Sequence, residues 1–375
     1  MKELNTFREI ARDPYSYAAK WKKKTGKKVV GYFCSYTIEE IIHAGGALPF
    51  RIFGTKEHIT RADAHLQAYC CSLVRGGLED ALAGRLSFLD GTVFPHTCDS
   101  IQRLSDIWRL NAGFPFHIDI VLPVKLNTLS AREYMTDVIR MFKRDVENSL
   151  GVAIPDETLI QSIKLYNAVR ACLGKIYRMR AENPGIISGR DVYAIIKSAM
   201  VMDRQDLLGM LTGLITQLKQ SSPAKKSYKR IVLAGGVCNH PDIYPVLEKA
   251  GAAVVWDELC TGTRYFEGAV EESGDPVAAL SKRYAERINC PAKHSNVDIR
   301  GRNLIDIVKR HHAQGVIFLI LKFCDPHSFD YPYMKEYLAA EKIPSMLLEL
   351  EEQVPPEGQL ATRFESFIEM LQDAD

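Results

Sequence analysis

Apolar positions along this chain fall into two kinds of pattern, and the two alternate. Near the N-terminus the apolar run in KKVVGYFCSY is short and continuous, which predicts a buried strand; TIEEIIHAGG follows at helical spacing, with Thr37 as its cap and glycines at its end. ALPFRIFG reads as a second strand, CSLVRGGLEDALAG as a helix, LDGTVFPHTCDS as a strand running into a turn, IQRLSDIWRL as a helix and HIDIVLPV as a strand again. From about Ser130 to Gln220 the pattern changes: REYMTDVIRMFKRDVENSLG and ETLIQSIKLYNAVRACLGKIYRMR are amphipathic at the helical period and carry no strand. After SSPAKKSYK at 221–229, which reads as a linker, alternation resumes. YKRIVLAGGV, AAVVW, VIFLILKF and PSMLLELE are strands, separated by the helical DIYPVLEKAG, DPVAALSKRYAERI, GRNLIDIVKRHH and PYMKEYLAAEK, and QLATRFESFIEMLQ is a closing helix.

Strands alternating with helices predict parallel, doubly wound sheets. The expected fold is therefore α/β: an N-terminal lobe over residues 1–129, a helical connector over 130–225, and a C-terminal lobe over 226–375. A chain of 375 residues is also too long for one simple core. Open sheets of this kind bind ligands at the carboxyl ends of their strands, so the cleft between the lobes is where chemistry is expected. The lobes echo each other, since TVFPHTCDS in the first resembles IFLILKFCDPHS in the second.

Composition changes this picture little. Hydrophobic residues make up 46% and charged residues 25%, as in an ordinary globular protein, and a net charge of +2 gives no pull toward nucleic acid or an anionic membrane. The lysines of KWKKKTGKK and KKSYKR read as solvated helix ends and linkers. No signal-peptide core and no run of membrane-spanning length is present, and the expected compartment is the cytoplasm.

The nine cysteines change it more. An odd total in a reducing compartment does not suit a disulfide framework, which leaves ligation, catalysis or burial. Cys34, Cys98 and Cys324 each end an expected strand just before a helix; Cys71 opens a helix, Cys260 follows AAVVWDEL, and Cys290 precedes Pro291. The six form a candidate ligand set, three from each lobe, aimed into one cleft. Thiolates are soft anionic donors suited to iron–sulfur clusters or zinc, and a helix N-terminus stabilises their charge. No CxxC pair is present, so a zinc knuckle is not expected. Cys172 and Cys238 fit simple burial better, and Cys70 cannot easily point the same way as Cys71.

Other candidates are weaker. Gly235-Gly236 follows a strand, but neither GxGxxG nor a Walker pattern is present and nucleotide binding is rejected. Ser35 and His96 are candidates to bind a ligand or deliver a proton, as are Thr97 and Asp99, although a cap or turn explains Ser35 and Asp99 equally well. Glu39 and Glu40 read as first-turn carboxylates, Arg264 as an anion site or an ordinary ion pair, and His240, His294, His311 and His312 as surface or satisfied core histidines. No Ser-His-Asp arrangement can be argued.

FCSYTIEEIIHAGGALPFRIFG, CSLVRGGLED, PHTCDS, CNHPDIYPVLEKAG, DELCTGTRYF, RINCP, KFCDPHSFDYPYMKEYL and EGQLATRFESFIEML together resemble the iron–sulfur family of 2-hydroxyacyl-CoA dehydratase and benzoyl-CoA reductase subunits, over nearly the whole chain. The resemblance implies two doubly wound lobes around a cluster, dimerisation with an identical or paralogous subunit, and one-electron chemistry driven by a separate ATP-hydrolysing iron–sulfur activator. Dehydratase-type subunits hold a 4Fe-4S cluster on three cysteines, which Cys71, Cys98 and Cys324 match, leaving one iron open to substrate. The added Cys34, Cys260 and Cys290, in DELCTGTR and NCP contexts, look more like the double-cubane branch, whose 8Fe-9S cluster needs six thiolates. The leading expectation is accordingly a double-cubane reductase of a small molecule. The runner-up is a subunit of a 2-hydroxyacyl-CoA dehydratase or benzoyl-CoA reductase-type enzyme reducing a thioester to a ketyl-type radical, and a non-catalytic iron–sulfur electron carrier stands as a third reading.

Overall fold

A computed structural model describes residues 1–55, 57–221, 227–288, 290–294, 297–351, 353 and 355–371. The expected linker at 221–229 lies largely outside the described residues. Among the described residues eight strands form two four-stranded, wholly parallel sheets: β1 (Val29–Tyr32), β2 (Leu48–Arg51), β3 (Gly91–Pro95) and β4 (His117–Ile120) in one, β5 (Lys229–Gly235), β6 (Ala252–Glu258), β7 (Gly315–Leu321) and β8 (Ser345–Leu350) in the other. The α/β class with two parallel-sheet lobes is as the alternation predicts. Strand order is β2-β1-β3-β4 and β6-β5-β7-β8. The two sheets thus repeat one topology, and β3 and β7, which carry the two segments that echo each other, hold the same place in it.

Strands β1, β2, β3 and β7 are buried at every position, which is why they read as unbroken apolar runs: a parallel strand covered by helices on both faces has no polar side to show. Between the sheets run the helices Leu129–Leu150, Asp156–Glu182, Gly189–Ala199 and Arg204–Gln220. The N-terminal helix Lys2–Arg12 packs on Gly189–Ala199 and the late helix Pro276–Glu286 packs on Leu129–Leu150, so distant stretches of chain share the central helices. One core cluster runs from Phe33 and Phe50 of the first sheet region through Leu173 and Ile196 to Ile317 and Leu319 of the second.

Two local expectations change. Thr37 does not cap the first short helix: its hydroxyl donates to the Phe33 carbonyl at 3.1 Å, and the helix Glu39–Ala44 starts after Ile38 with no side-chain cap. The helix expected from Pro332 starts at Asp325 and runs to Ala340 with Pro332 inside it. Pro326 at its first turn supplies the preset φ that a helix start needs, so nucleation lies seven residues earlier than the amphipathic pattern alone suggests. No helix among the described residues is long and apolar enough to cross a membrane.

Candidate thiolate centre

Strand ends and helix starts place the thiols. Cys98 and Cys324 follow β3 and β7 and are the N-cap residues of Asp99–Asn111 and Asp325–Ala340; Cys71 is the N-cap of Ser72–Leu82. Backbone N–H groups of Leu73 and Val74 face the Cys71 sulfur, those of Ser100 and Ile101 face Cys98, and that of His327 faces Cys324. One of the six cysteines and the neighbour of another need unusual backbone: Cys34, just past β1, has φ 58°, and Phe323, before Cys324, has φ 65°. Left-handed backbone at non-glycine residues costs about 1–3 kcal/mol each and persists where the surroundings over-determine it.

All six thiols meet in one electrostatic neighbourhood. Burial raises Cys71 to about 11 and Cys98 to about 12, and charge on Cys34 acts on both. Cys324 is raised, first by burial and then by Cys71, with Cys98 and Cys260 adding to it. Cys290 and Cys260 hydrogen-bond each other, which raises Cys290 well above its usual range and holds Cys260 well below its own, with Arg264, Arg51 and Arg287 lowering Cys260 further. Charge on Cys34 reaches Cys290 too. Among the described residues no three His, Cys, Asp or Glu side chains close on a single ion-sized point.

The three-per-lobe arrangement needs one amendment. Cys290 comes late in the chain yet packs in the core that includes Tyr32, Ile38 and Ile118 of the first lobe, and its N–H donates to the Tyr36 hydroxyl at 3.2 Å. The segment after it follows suit: Lys293 Nζ donates to the carbonyls of His96 and Leu122, both at 3.2 Å, and His294 pairs with Lys125 as an isolated bridge.

Several cations surround the sulfurs. Arg264 Nη1 donates to Cys260 Sγ at 3.4 Å and lies 3.3 Å from His327 Nε2, while His327 Nδ1 lies 3.4 Å from Cys324 Sγ, so one guanidinium reaches two thiols, the second through a ring. Burial and Arg264 keep that imidazole neutral, lowering it to about 3. Arg264 also forms an ordinary ion pair, 3.4 Å from Glu258, whose carboxyl burial raises to about 7. Arg287 donates to the Ser35 carbonyl at 2.5 Å and the Arg264 carbonyl at 3.2 Å and stacks on Tyr36 and Tyr284, tying the Cys34 loop to the Cys260 loop. Sequence reading missed His327, Arg51, Arg287 and Lys293; only His327 left a signal, three residues after Cys324 in the first turn of its helix.

A cleft of about 550 Å3 opens at this centre, lined by Cys98, His96, Pro291, His294, Asp325 and Phe329 among others. His96 Nε2 is 2.9 Å from Asp119 Oδ1, so this candidate proton carrier has an orienting carboxylate. Ser35 is buried, Thr97 donates to the Pro95 carbonyl, and Asp99 pairs with Arg103 on the surface. A larger groove of about 970 Å3 elsewhere is lined by Arg8, Asp80, Arg85, Asp191, Lys197 and Asn239 among others and by none of the six cysteines. Glu39 and Glu40 are buried partners of Arg204 and Arg170 rather than simple first-turn carboxylates. His240 contacts the Glu351 carbonyl at 2.9 Å, and His311 stacks on Trp256.

Gly235-Gly236 is structural. A Cβ on Gly235, at φ 131°, would stand 2.0 Å from the Leu319 oxygen, and the Gly236 carbonyl accepts from the Cys260 N–H at 3.0 Å. The pair lets β5 pass close to β7 and fixes Cys260.

Comparison with known proteins places the chain in a family. The family model described as 2-hydroxyglutaryl-CoA dehydratase, D-component, matches residues 34–371. The chain is 28% identical over 370 residues to the (R)-phenyllactyl-CoA dehydratase beta subunit of Clostridium sporogenes, with 99% of each chain covered. It is 26% identical to the lactoyl-CoA dehydratase subunit beta of Anaerotignum propionicum, 98% of each covered. To a benzoyl-CoA reductase subunit from Thauera aromatica it is 28% identical, over 88% of this chain and 87% of that one. With two parallel-sheet lobes and a family-model match over residues 34–371 that spans both of them, this chain belongs to the 2-hydroxyglutaryl-CoA dehydratase D-component family.

Proposed function

We propose that the chain is the iron–sulfur subunit of a two-component enzyme of the 2-hydroxyacyl-CoA dehydratase or aryl-CoA reductase type. The observation that carries it is the nearness of Cys71, Cys98 and Cys324, each at a helix N-cap and each within electrostatic reach of the others, with Cys98 on the wall of a cleft that a small molecule can enter. The donor set fits such a cofactor: soft sulfurs, backbone N–H groups turned toward them, and buried cations to offset the anionic charge. When bound, the cluster would supply one-electron transfer and, at an iron not held by protein, a Lewis-acid position. The chain's own residues hold it, exclude water from it and, at His96, move a proton at the cleft wall.

The three relatives act by name on CoA thioesters, which supports an acyl-CoA substrate here, and each is named as one subunit of a larger enzyme, which supports a second, identical or paralogous, subunit. On this reading a separate ATP-hydrolysing iron–sulfur activator delivers the electron, and the halves of the cleft are the lobes 1–129 and 226–375 with 130–225 between them. Nine free thiols suit the reducing cytoplasm. The comparisons favour this dehydratase-type reading over the double-cubane reductase placed first from sequence. One observation still speaks for the latter: Cys34, Cys260 and Cys290 lie in the same neighbourhood as the other three, enough sulfurs for an 8Fe-9S cluster.

Anaerobic purification with iron and acid-labile sulfide determination tests this. About four irons per chain supports one 4Fe-4S cluster and about eight the double cubane. Protein that binds neither iron nor sulfide after anaerobic reconstitution sinks both.

A further inference from the structure

His327 stands in the first turn of the helix Asp325–Ala340, and its buried ring packs over Gly236 and against Arg264. The donors of Arg264 are almost all in use. Nη2 donates to the Gly235 carbonyl at 2.8 Å and the Glu258 carbonyl at 2.9 Å; Nη1 donates to Cys260 Sγ at 3.4 Å, which leaves its second N–H for His327 Nε2 at 3.3 Å. A guanidinium has donors and no acceptor. The ring nitrogen that meets it must therefore offer a lone pair, since a proton at Nε2 would set one N–H against another. The single proton of the imidazole then sits at Nδ1, and Nδ1 is the atom 3.4 Å from Cys324 Sγ. The Gly235 carbonyl also lies by the ring, but Arg264 Nη2 already donates to it.

A cysteine beside a histidine ordinarily suggests a nucleophile with its base. Here the free lone pair of the ring is turned to Arg264 and none is left to take a thiol proton, so the sulfur is the acceptor of the pair. We infer that Arg264 fixes the tautomer of His327 so that Nδ1–H donates to the Cys324 sulfur, which makes His327 a positioning residue that sets how much negative charge this sulfur, and a metal–sulfide group held by it, can carry. This rests on the iron–sulfur reading above. The same guanidinium donates directly to Cys260, so two sulfurs, one past β6 and one past β7, are hydrogen-bonded through one cation. Hydrogen bonds to such sulfurs favour the added electron and raise the reduction potential.

Two amides separate the nitrogens: that of asparagine places an N–H where Nδ1 stands, and that of glutamine reaches to the place of Nε2. After anaerobic loading with iron and sulfide, His327→Asn is expected to titrate close to the wild-type midpoint potential. His327→Gln leaves the Cys324 sulfur without its donor and is expected to titrate at a more negative midpoint. If His327→Gln loses its iron while His327→Asn keeps it, the donor requirement is upheld as well. Where His327→Gln does not fold, His327→Phe, which also lacks the donor, takes its place in the comparison. The inference is overturned if the two variants titrate at the same potential, if His327→Asn is the one that shifts, or if both lose iron, because packing of the ring would then account for its place. A wild-type chain that takes up no iron and sulfide fails at an earlier step and removes the iron–sulfur reading itself.

Discussion

At the scale of single residues, burial is what separates these thiols from ordinary ones. A thiol raised to about 11 or 12 is a poor nucleophile and a poor proton donor at neutral pH, so Cys71 and Cys98 are not placed to act as free thiols. On the proposed iron–sulfur reading a metal displaces the proton, and the helix N-termini beneath them would stabilise the resulting charge. Cys324 adds a side-chain contact, to His327. Replacing Cys324 with serine is expected to remove most of the bound iron from anaerobically purified protein, whereas Cys172→Ser, a half-buried thiol in the long helix Asp156–Glu182, leaves the iron content unchanged. Equal iron in both variants would contradict the assignment of Cys324.

At the scale of elements, the parallel pairing of β5 with β7 ends at Gly235 opposite Leu319, where no room is left for a side chain. Gly235→Ala puts a methyl group into the Leu319 carbonyl at a backbone angle that L residues avoid, and should cost at least about 1–3 kcal/mol, read as a lower urea midpoint at unchanged slope. A wild-type midpoint would mean that β5 can shift freely. The elements themselves were legible because parallel strands buried on both faces leave unbroken apolar runs such as VIFLIL, and because linking helices keep a 3.6-residue period. The start of the helix at Asp325 was hidden by Pro332, which ordinarily breaks a helix but here sits within one. The thiol set was legible because strand ends in such sheets point to the cleft. The cations were not: Arg287 looks in sequence like an ordinary charge at the end of a helix, and nothing local says that it bonds the Ser35 carbonyl of the Cys34 loop, 252 residues earlier.

At the scale of the whole molecule, three distant stretches of chain are joined beneath the thiols by buried charge. Glu39 and Glu40 come from the first lobe, Tyr166, Arg170 and Arg204 from the central helices, and Tyr265, Arg283, Tyr284 and Arg287 from the chain after β6; all are buried or nearly so. Arg170 pairs with Glu40, and Arg204 with Glu39. Such pairs add little net stability over apolar replacements, but breaking one leaves a lone charge out of water. Glu40→Met alone should therefore destabilise the chain by about 3–5 kcal/mol, while adding Arg170→Met should restore much of that loss, as a double-mutant cycle in urea would show. A small single-variant effect would mean that water reaches the pair. Because the hub joins the helix that follows the Cys34 loop to the segment that carries Cys260 and Cys290, a fully stable double variant that binds less iron would show that the pair's role lies in the alignment of the thiols, and one with full iron would confine it to stability.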